Sequence, residues 1–482
     1  MNSEKVVTRF APSPTGYMHV GSLRTALFAW LFAQKNNGTL ILRIEDTDKE
    51  REVEGSIDHI IESLKWVGIT WNEGPDVGGP HAPYLQSERL ESYKKYADVL
   101  VQKRLAYADP YTSEELDIFR KKAEQEKRPF LYREHRPDNP PVWDGTQPLR
   151  LKSNAVSYAW NDEVRGDLSA GPESVDDFIL IKSDGYPTYN FAHIIDDLEM
   201  GVTHIFRADE FISSTPKFLA LYEALGINHP AFVTLPPIIS PDGKKKLGKR
   251  DGAKDILEYR NDGILPEAMM NFLAFIGWNP GDEREVLPHN ELIQAFDVSK
   301  IHVSGGKFNE EKLKWYNKEY LSKLSPEILK EKIKERLDKK APLSPEILEK
   351  LIPIILERIH TFADIDTMIA DGELDYVFAT PEYSKEVLLW KDEKDFEALV
   401  RRLEEVRVRL EAVDVNNFKK DIIKDALWDY ATVEGRGQVL WPLRIALSGK
   451  EKSPDPFVLS ELVGKLETIN RLKRAVEIVT HA

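Results

Sequence analysis

The chain has 482 residues, with 81 Asp plus Glu against 66 Lys plus Arg, a net charge of −15 and no cysteine. That length holds several domains, each able to build its own core. The lack of cysteine excludes disulfides, thiolate catalysis and cysteine-ligated metal; no stretch has the apolar length of a membrane span or the pattern of a secretory signal, so a cytoplasmic protein without membrane contact is expected.

Val6 to Phe10 is rich in β-branched residues and predicts a strand, while Leu23 to Gln34 carries apolar positions at helical spacing. Pro12, Pro14 and Gly16 break the chain between them. Gly21 and Ser22 open the helix, where free backbone N–H groups and the helix dipole favour an anion, and His19 stands just upstream, able to donate to the same phosphate. This pattern fits a mononucleotide site. Thr39 to Ile44 predicts a second strand, whose carboxyl end delivers Glu45, Asp46 and Asp48. Ligands of open α/β sheets bind beyond the carboxyl ends of strands, so Arg9 and Glu45 are expected to face one crevice. A carboxylate suits the ammonium of an amino acid, and an arginine suits an acidic side chain. Asp46 and Asp48 fit a solvated loop as well as they fit a site.

From about Ala106 to Ser183 the alternation of strand and helix breaks. A charged helix (Ser113 to Lys127), a Pro-rich loop (Pro137 to Pro148) and short strands (Pro148 to Lys152, Asp177 to Ile181) predict an inserted domain. It carries a basic patch at Lys121, Lys122, Lys127, Arg128, Arg133 and Arg136. The first fold then resumes with Tyr186-Pro187-Thr188-Tyr189-Asn190-Phe191-Ala192-His193 and a strand, His204 to Phe206, that ends in Arg207, Ala208, Asp209 and Glu210. The turn Pro241-Asp242-Gly243 leads into Lys246-Leu247-Gly248-Lys249-Arg250. A Walker-type phosphate loop is a poor match. Ser22 stands where its lysine belongs, and Arg250 replaces the hydroxyl residue after Lys249, with Pro236, Pro237 and Pro241 upstream in place of a strand. Beyond about Leu324, Ser325-Pro326-Glu327 and Ser344-Pro345-Glu346 read as helix starts. Phe396, Leu399, Val400, Leu403, Val406 and Leu410 form an apolar helical stripe, and Phe418, Ile422, Ile423 and Leu427 another, as helices use to build a core.

Two of these stretches carry a family resemblance. Arg9-Phe10-Ala11-Pro12-Ser13-Pro14-Thr15-Gly16, followed by His19-Val20-Gly21-Ser22, resembles the H-I-G-H signature of class I aminoacyl-tRNA synthetases in the version of the glutamyl-tRNA synthetases. Lys246 to Arg250, roughly 230 residues on, resembles the mobile K-M-S-K-S loop of the same class, and the pair in this order is far more specific than either alone. The likeness continues through Gly263 to Ala268, Phe275 to Trp278, Phe308 to Trp315 and the segment from Gly435 to Arg444. The all-helical C-terminal third is similar to the bacterial type, since the glutaminyl and archaeal-type enzymes carry β-barrels there.

The resemblance implies an α/β fold: a Rossmann-type parallel-sheet catalytic domain with an α+β insertion, followed by an all-α anticodon-binding region. Its expected divisions are the catalytic domain at 1–105 and 184–255, an acceptor-end insertion at 106–183, a stem-contact linker at 256–324, and helical anticodon-binding parts at 325–383 and 384–482. It implies ATP with Mg2+, L-glutamate, the tRNA for glutamate with that for glutamine left open, and a monomer. His19, Lys246 and Lys249 fall on catalytic positions. Arg9, Ala11, Ser13, Glu45, Tyr189, His193 and Arg207 fall on glutamate-binding positions, and His19, Gly21, Glu210, Lys246 and Lys249 on ATP-binding ones. Some bacterial relatives hold a zinc largely through cysteines in the insertion; a chain without cysteine is expected to lack it. Gly248 departs from the serine that is usual in the loop. Three other readings share parts of the pattern: a short relative that glutamylates a tRNA base but lacks the helical third, a nucleotidyltransferase making a small metabolite, and a non-catalytic tRNA-binding paralogue.

Overall fold

The computed structural model describes residues 5–248 and 254–481 and divides into two units, 1–261 with 265–316, and 262–264 with 317–482. The first unit is built on a six-stranded sheet. Its strands are β1 (Val7–Phe10), β2 (Thr39–Leu42), β5 (Tyr158–Asp162), β6 (Gly166–Ala170), β8 (His204–Ala208) and β9 (Ala231–Leu235), in the order β2-β1-β8-β9-β5-β6. All neighbours are parallel except the β5–β6 hairpin. A smaller antiparallel sheet joins β3 (Ala106–Ala108), β4 (Leu149–Leu151) and β7 (Ile179–Ile181). The stretch expected as one insertion therefore serves two sheets, because its hairpin extends the large one.

Side chains alternate across a strand, and this alternation sorts the site. Thr8 bonds the Ala29 carbonyl of α1 (Val20–Lys35), and His204 and Phe206 pack on Phe32 of the same helix. Arg9, Ile205 and Arg207 point to the opposite face, which is covered by α5 (Tyr189–Glu199) and α6 (Thr215–Leu225). α1 is apolar nearly all round, as a helix packed on several sides must be. The remaining helices needed here are α2 (Ser56–Trp66), α3 (Leu90–Gln102) and α4 (Ser113–Gln125). Chain order reverses between β1 and β8, so the crevice at their carboxyl ends is the switch point where such folds bind ligands.

Within the insertion two buried carboxylates gather its polar groups. Asp109 accepts from the Tyr132 hydroxyl and from Arg150 Nε at 2.6 Å. Asp177 accepts from the Tyr107 hydroxyl at 2.6 Å, the Ser153 hydroxyl at 2.8 Å and Arg136 Nη2 at 2.6 Å. These bonds hold Asp177 below the usual carboxylate range although burial opposes it.

The second unit is helical. Ser325 and Ser344 cap the helices Pro326–Leu337 and Pro345–Arg358, each hydroxyl accepting from the third backbone N–H inside. Leu399, Leu403, Val406 and Leu410 are buried along Phe396–Ala412 as the stripe requires, whereas Ile422 of the second stripe is 45% exposed.

Candidate active site

α1 starts at Val20, three residues before the apolar periodicity begins. His19 is its N-cap: the backbone is extended and Nδ1 accepts from the Gly21 and Ser22 amides at 3.0 and 3.3 Å. The amides expected to be free for an anion are thus held by the histidine itself. Gly21 permits this, since a Cβ there would meet the ring at 3.0 Å. An Nδ1 that accepts twice carries no proton, so in the neutral ring the N–H is at Nε2.

The second motif leaves the sheet through β10 (Ile238–Ile239), which pairs with β11 (Gly306–Lys307). The turn after it folds back so that Ile239 bridges Lys246, with Asp242 accepting from Ser240 Oγ at 2.5 Å and from the Lys244 amide at 3.1 Å. Lys246 ends in an ion pair with Glu210. Lys249 lies outside the described residues. Past them the chain returns to the first motif: Asp255 bridges His19 through the backbone, the Ile256 amide donates to the Met18 carbonyl at 3.1 Å, and the Asp255 carboxylate bonds His59 Nε2 at 2.7 Å. His59, on α2, stacks on Tyr17 and accepts the Met18 amide. Arg24 ties α1 to the segment that leads into this hairpin and to the turn after the helix Pro266–Ala274, bonding the carbonyls of Pro236 and Ile276. Burial lowers its pKa to about 10, although the charge of Asp209 opposes the shift. Neither His59 nor Arg24 stood out in the sequence, where an isolated His or Arg carries no periodic signal.

On the α5–α6 face the strand ends meet a buried ionic lattice. Arg43, fully buried, bonds Glu45 Oε1 at 3.2 Å and Asp197 Oδ1 at 2.8 Å; Asp197 Oδ1 also takes Arg9 Nε at 3.1 Å. Burial raises the Asp197 carboxyl, yet Arg9 and Arg43 outweigh it and hold the pKa down to about 2. Glu45 behaves differently, because its burial outweighs Arg43 and Arg9 and pushes its pKa up to about 7. Asp196 anchors the lattice to the rest of the fold through Arg89, Gln86 and Tyr93.

Arg207 sits between the rings of Phe218 and Phe232, 4.9 and 4.6 Å from their centroids. Its Nη2 bonds Thr215, while Nε and Nη1 are buried without a partner. Tyr189, beside it, has its hydroxyl pKa pushed up by burial and by Glu45.

A cleft of about 1320 Å³ is lined by Arg9, Ala11, Ser13, His19, Gly21, Glu45, Tyr189, Arg207, Glu210 and Lys246, with Gly248 at its edge. His193 is not among its lining residues. It stacks behind Tyr189 with rings 4.6 Å apart, donates from Nδ1 to the Tyr189 carbonyl, and is held neutral by burial, its pKa lowered to about 3. Asp46 is a structural anchor, accepting from the amide and hydroxyl of Ser87 and from Lys49, whereas Asp48, half-buried, pairs with Arg51 and is among the residues that line the cleft.

A parallel sheet with a switch point, a capping histidine at the first helix and a lysine hairpin closing on it define the catalytic fold of a class I tRNA synthetase. The family model for tRNA synthetases class I (E and Q), catalytic domain, matches residues 5–315, and that for an anticodon binding domain matches residues 311–476. The chain is 42% identical over 483 residues to a glutamate–tRNA ligase of Clostridium botulinum, covering 98% of each, and 40% identical over 492 residues to that of Clostridium tetani, covering 99% of this chain and 98% of the relative. A crystal structure of a glutamate tRNA ligase from Elizabethkingia meningosepticum, in complex with its amino acid, superposes with a TM-score of 0.89 at 37% identity, over 99% of this chain and 100% of that one. The chain belongs to the glutamate–tRNA ligase family. Among the described residues no helix is long and apolar enough to cross a membrane, and no group of three or more His, Cys, Asp or Glu is placed to hold a metal.

Proposed function

We propose that this protein joins L-glutamate to the 3′ end of the tRNA for glutamate in two steps driven by ATP. The observation that carries the choice of amino acid is the pairing of Glu45 with Arg207 in one cleft. Glu45 is a carboxylate for the α-ammonium. Arg207 is a desolvated guanidinium with two unpartnered nitrogens for the side-chain carboxylate. Arg9, Ala11, Ser13 and Tyr189 complete that pocket, and His193 supports it from behind Tyr189.

In the first step the α-carboxylate attacks the α-phosphorus of ATP in line; the bond to pyrophosphate breaks and a mixed anhydride with AMP forms. No protein nucleophile is required, so catalysis is positioning and neutralisation of charge on the phosphoryl group. His19 Nε2–H, Lys246 and Lys249 supply that charge, Gly21 lets the ring of His19 fold over α1, and Glu210 holds Lys246 until the phosphates take it. Mg2+ brought in with ATP would be held by the substrate's own phosphates and would supply further neutralisation of charge on the leaving pyrophosphate. In the second step the terminal ribose 2′-hydroxyl of tRNA attacks the anhydride and AMP leaves. The insertion at 106–183 receives the acceptor end, 256–324 the stem, and 325–482 the anticodon; the protein acts as a monomer in the cytoplasm.

The test is glutamate-dependent pyrophosphate exchange and aminoacylation with no tRNA, the tRNA for glutamate, or the tRNA for glutamine. Charging of the first tRNA alone supports a discriminating ligase, and charging of both a non-discriminating one. Absence of exchange under every condition refutes the reading.

A further inference from the structure

We infer that Thr215 is a specificity-determining positioning residue: its hydroxyl locks Arg207 in the orientation that accepts a carboxylate side chain and rejects an amide. The inference rests on the glutamate-ligase reading proposed above. Thr215 opens α6, is 2% exposed and lies outside the cleft lining, so it acts through Arg207 and does not touch substrate.

The geometry turns on one proton. Thr215 Oγ1 lies 3.1 Å from the Phe211 carbonyl oxygen and 3.1 Å from Arg207 Nη2. A carbonyl only accepts, so the hydroxyl proton is committed to Phe211 and the lone pairs are left for the guanidinium. Phe211 itself lines the cleft and packs against Tyr189, 5.4 Å between centroids, so the same hydroxyl ties the cation to the pocket wall. The rings of Phe218, on the same face of α6, and Phe232 fix the plane of the guanidinium. Both two-nitrogen edges of a guanidinium include Nη2, one with Nε and one with Nη1; Thr215 takes one of the two Nη2 protons, so one edge stays open, with its unpartnered nitrogen and the second Nη2 proton, for bidentate binding of a carboxylate.

The nearby acids cannot serve in place of a substrate. Asp162 is already bonded by the Thr234 hydroxyl and by the amides of Val164, Arg165 and Thr234. Asp197 belongs to Arg9 and Arg43, and Glu45 to Arg43. Among the described residues Arg207 has no ion-pair partner, and burial lowers its pKa. Were the fork not held by Thr215, both of its edges would be open to a neutral amide oxygen or to water, and the preference for a carboxylate would weaken.

The test compares Thr215→Val, which keeps the shape and loses the acceptor, with Thr215→Ser, which keeps it. Pyrophosphate exchange in the presence of glutamate-accepting tRNA gives kcat and KM for glutamate and for glutamine, and thermal melting reports the fold. Thr215→Val is expected to raise KM for glutamate about tenfold, change kcat less than threefold, and lower the ratio of kcat/KM for glutamate to that for glutamine about tenfold; Thr215→Ser is expected to restore the ratio. The ratio is independent of the fraction of enzyme folded, so a destabilised variant still answers. An unchanged ratio in Thr215→Val, or one lost equally in Thr215→Ser, overturns the inference while leaving the ligase intact. A wild-type protein without glutamate-dependent exchange overturns the ligase reading and this inference with it.

Discussion

The protonation of Glu45 is expected to set the acid limit of glutamate binding. Burial raises its carboxyl from the ordinary value of 4.5 to about 7, while in the same pocket His193 stays neutral with a pKa of about 3 and Asp197 stays ionised at about 2. Glu45 is therefore the group of the lattice that titrates between pH 6 and 8. Only its charged form binds an ammonium strongly, so the apparent KM for glutamate should rise about tenfold from pH 8 to pH 6, with kcat nearly constant at saturating glutamate and ATP. Glu45→Gln should raise KM on the order of a hundredfold, as loss of a buried charged hydrogen bond does, and should flatten its pH dependence. Stability gives a second measurement. A carboxyl whose pKa is higher in the folded protein binds more protons there. The stabilisation it contributes is complete below pH 4.5, declines as the pH rises and is gone above 7. At about 1.4 kcal/mol per unit the span is about 3 kcal/mol, which Glu45→Gln should remove from the pH profile of unfolding. A wild-type KM that is flat from pH 8 to 6, or a Glu45→Gln variant with the wild-type slope, refutes the assignment.

His19 has two separable duties. His19→Ala should cost about a hundredfold in exchange rate and about 1 kcal/mol of stability, while His19→Asn, which can still cap α1, should regain the melting temperature and not the rate; recovery of both refutes the phosphate role. In the insertion, Tyr132→Phe removes one donor from the buried Asp109 and should cost about 1.5 to 3 kcal/mol in denaturant unfolding, with aminoacylation falling more than exchange. Gly248→Ser should speed exchange by ordering the loop for closure; an unchanged rate means that the backbone there suffices.

The parts of the fold legible in the sequence are those whose cause is local. β-branched runs gave β1 and β2, Ser-Pro-Glu gave two helix starts whose serines do cap, and period 3.6 gave the stripe of Phe396–Ala412. The apolar periodicity of α1 begins only at Leu23 because Val20, Gly21 and Ser22 have weak helix propensity, and the turn they form is secured by a side chain, His19, folding back on it. Asp46 and Asp48 were ambiguous because solvated loops and sites use the same residue types; only Ser87, 41 residues away, shows that Asp46 is an anchor. The β5–β6 hairpin could not be assigned to the larger sheet, since its pairing with β9 joins Asp162 to Phe232 across a long sequence separation. The lattice behind Glu45 was hidden for the same reason: Arg43 meets Asp197 across 154 residues.

Buried ion pairs are weak sources of stability, because desolvation offsets most of their attraction. The lattice is better understood as preorganisation that is left incomplete. Arg43 and Arg9 both bond Asp197 Oδ1, at 2.8 and 3.1 Å, and keep that carboxylate ionised, but Glu45 receives a longer bond of 3.2 Å and titrates near neutrality, and Arg207 receives no carboxylate among the described residues. One acid and one base are thus left under-compensated at the two sides of one pocket. Under the proposed reading, free L-glutamate brings an ammonium to the first and a carboxylate to the second. Glutamine meets only the first demand; its amide leaves Arg207 desolvated and without a counter-charge, a penalty of several kcal/mol by the asymmetry of buried charges. Aspartate meets both demands with a side chain one methylene short, which by itself discriminates by about 1 to 3 kcal/mol. The pocket therefore rejects the amide more strongly than the shorter acid.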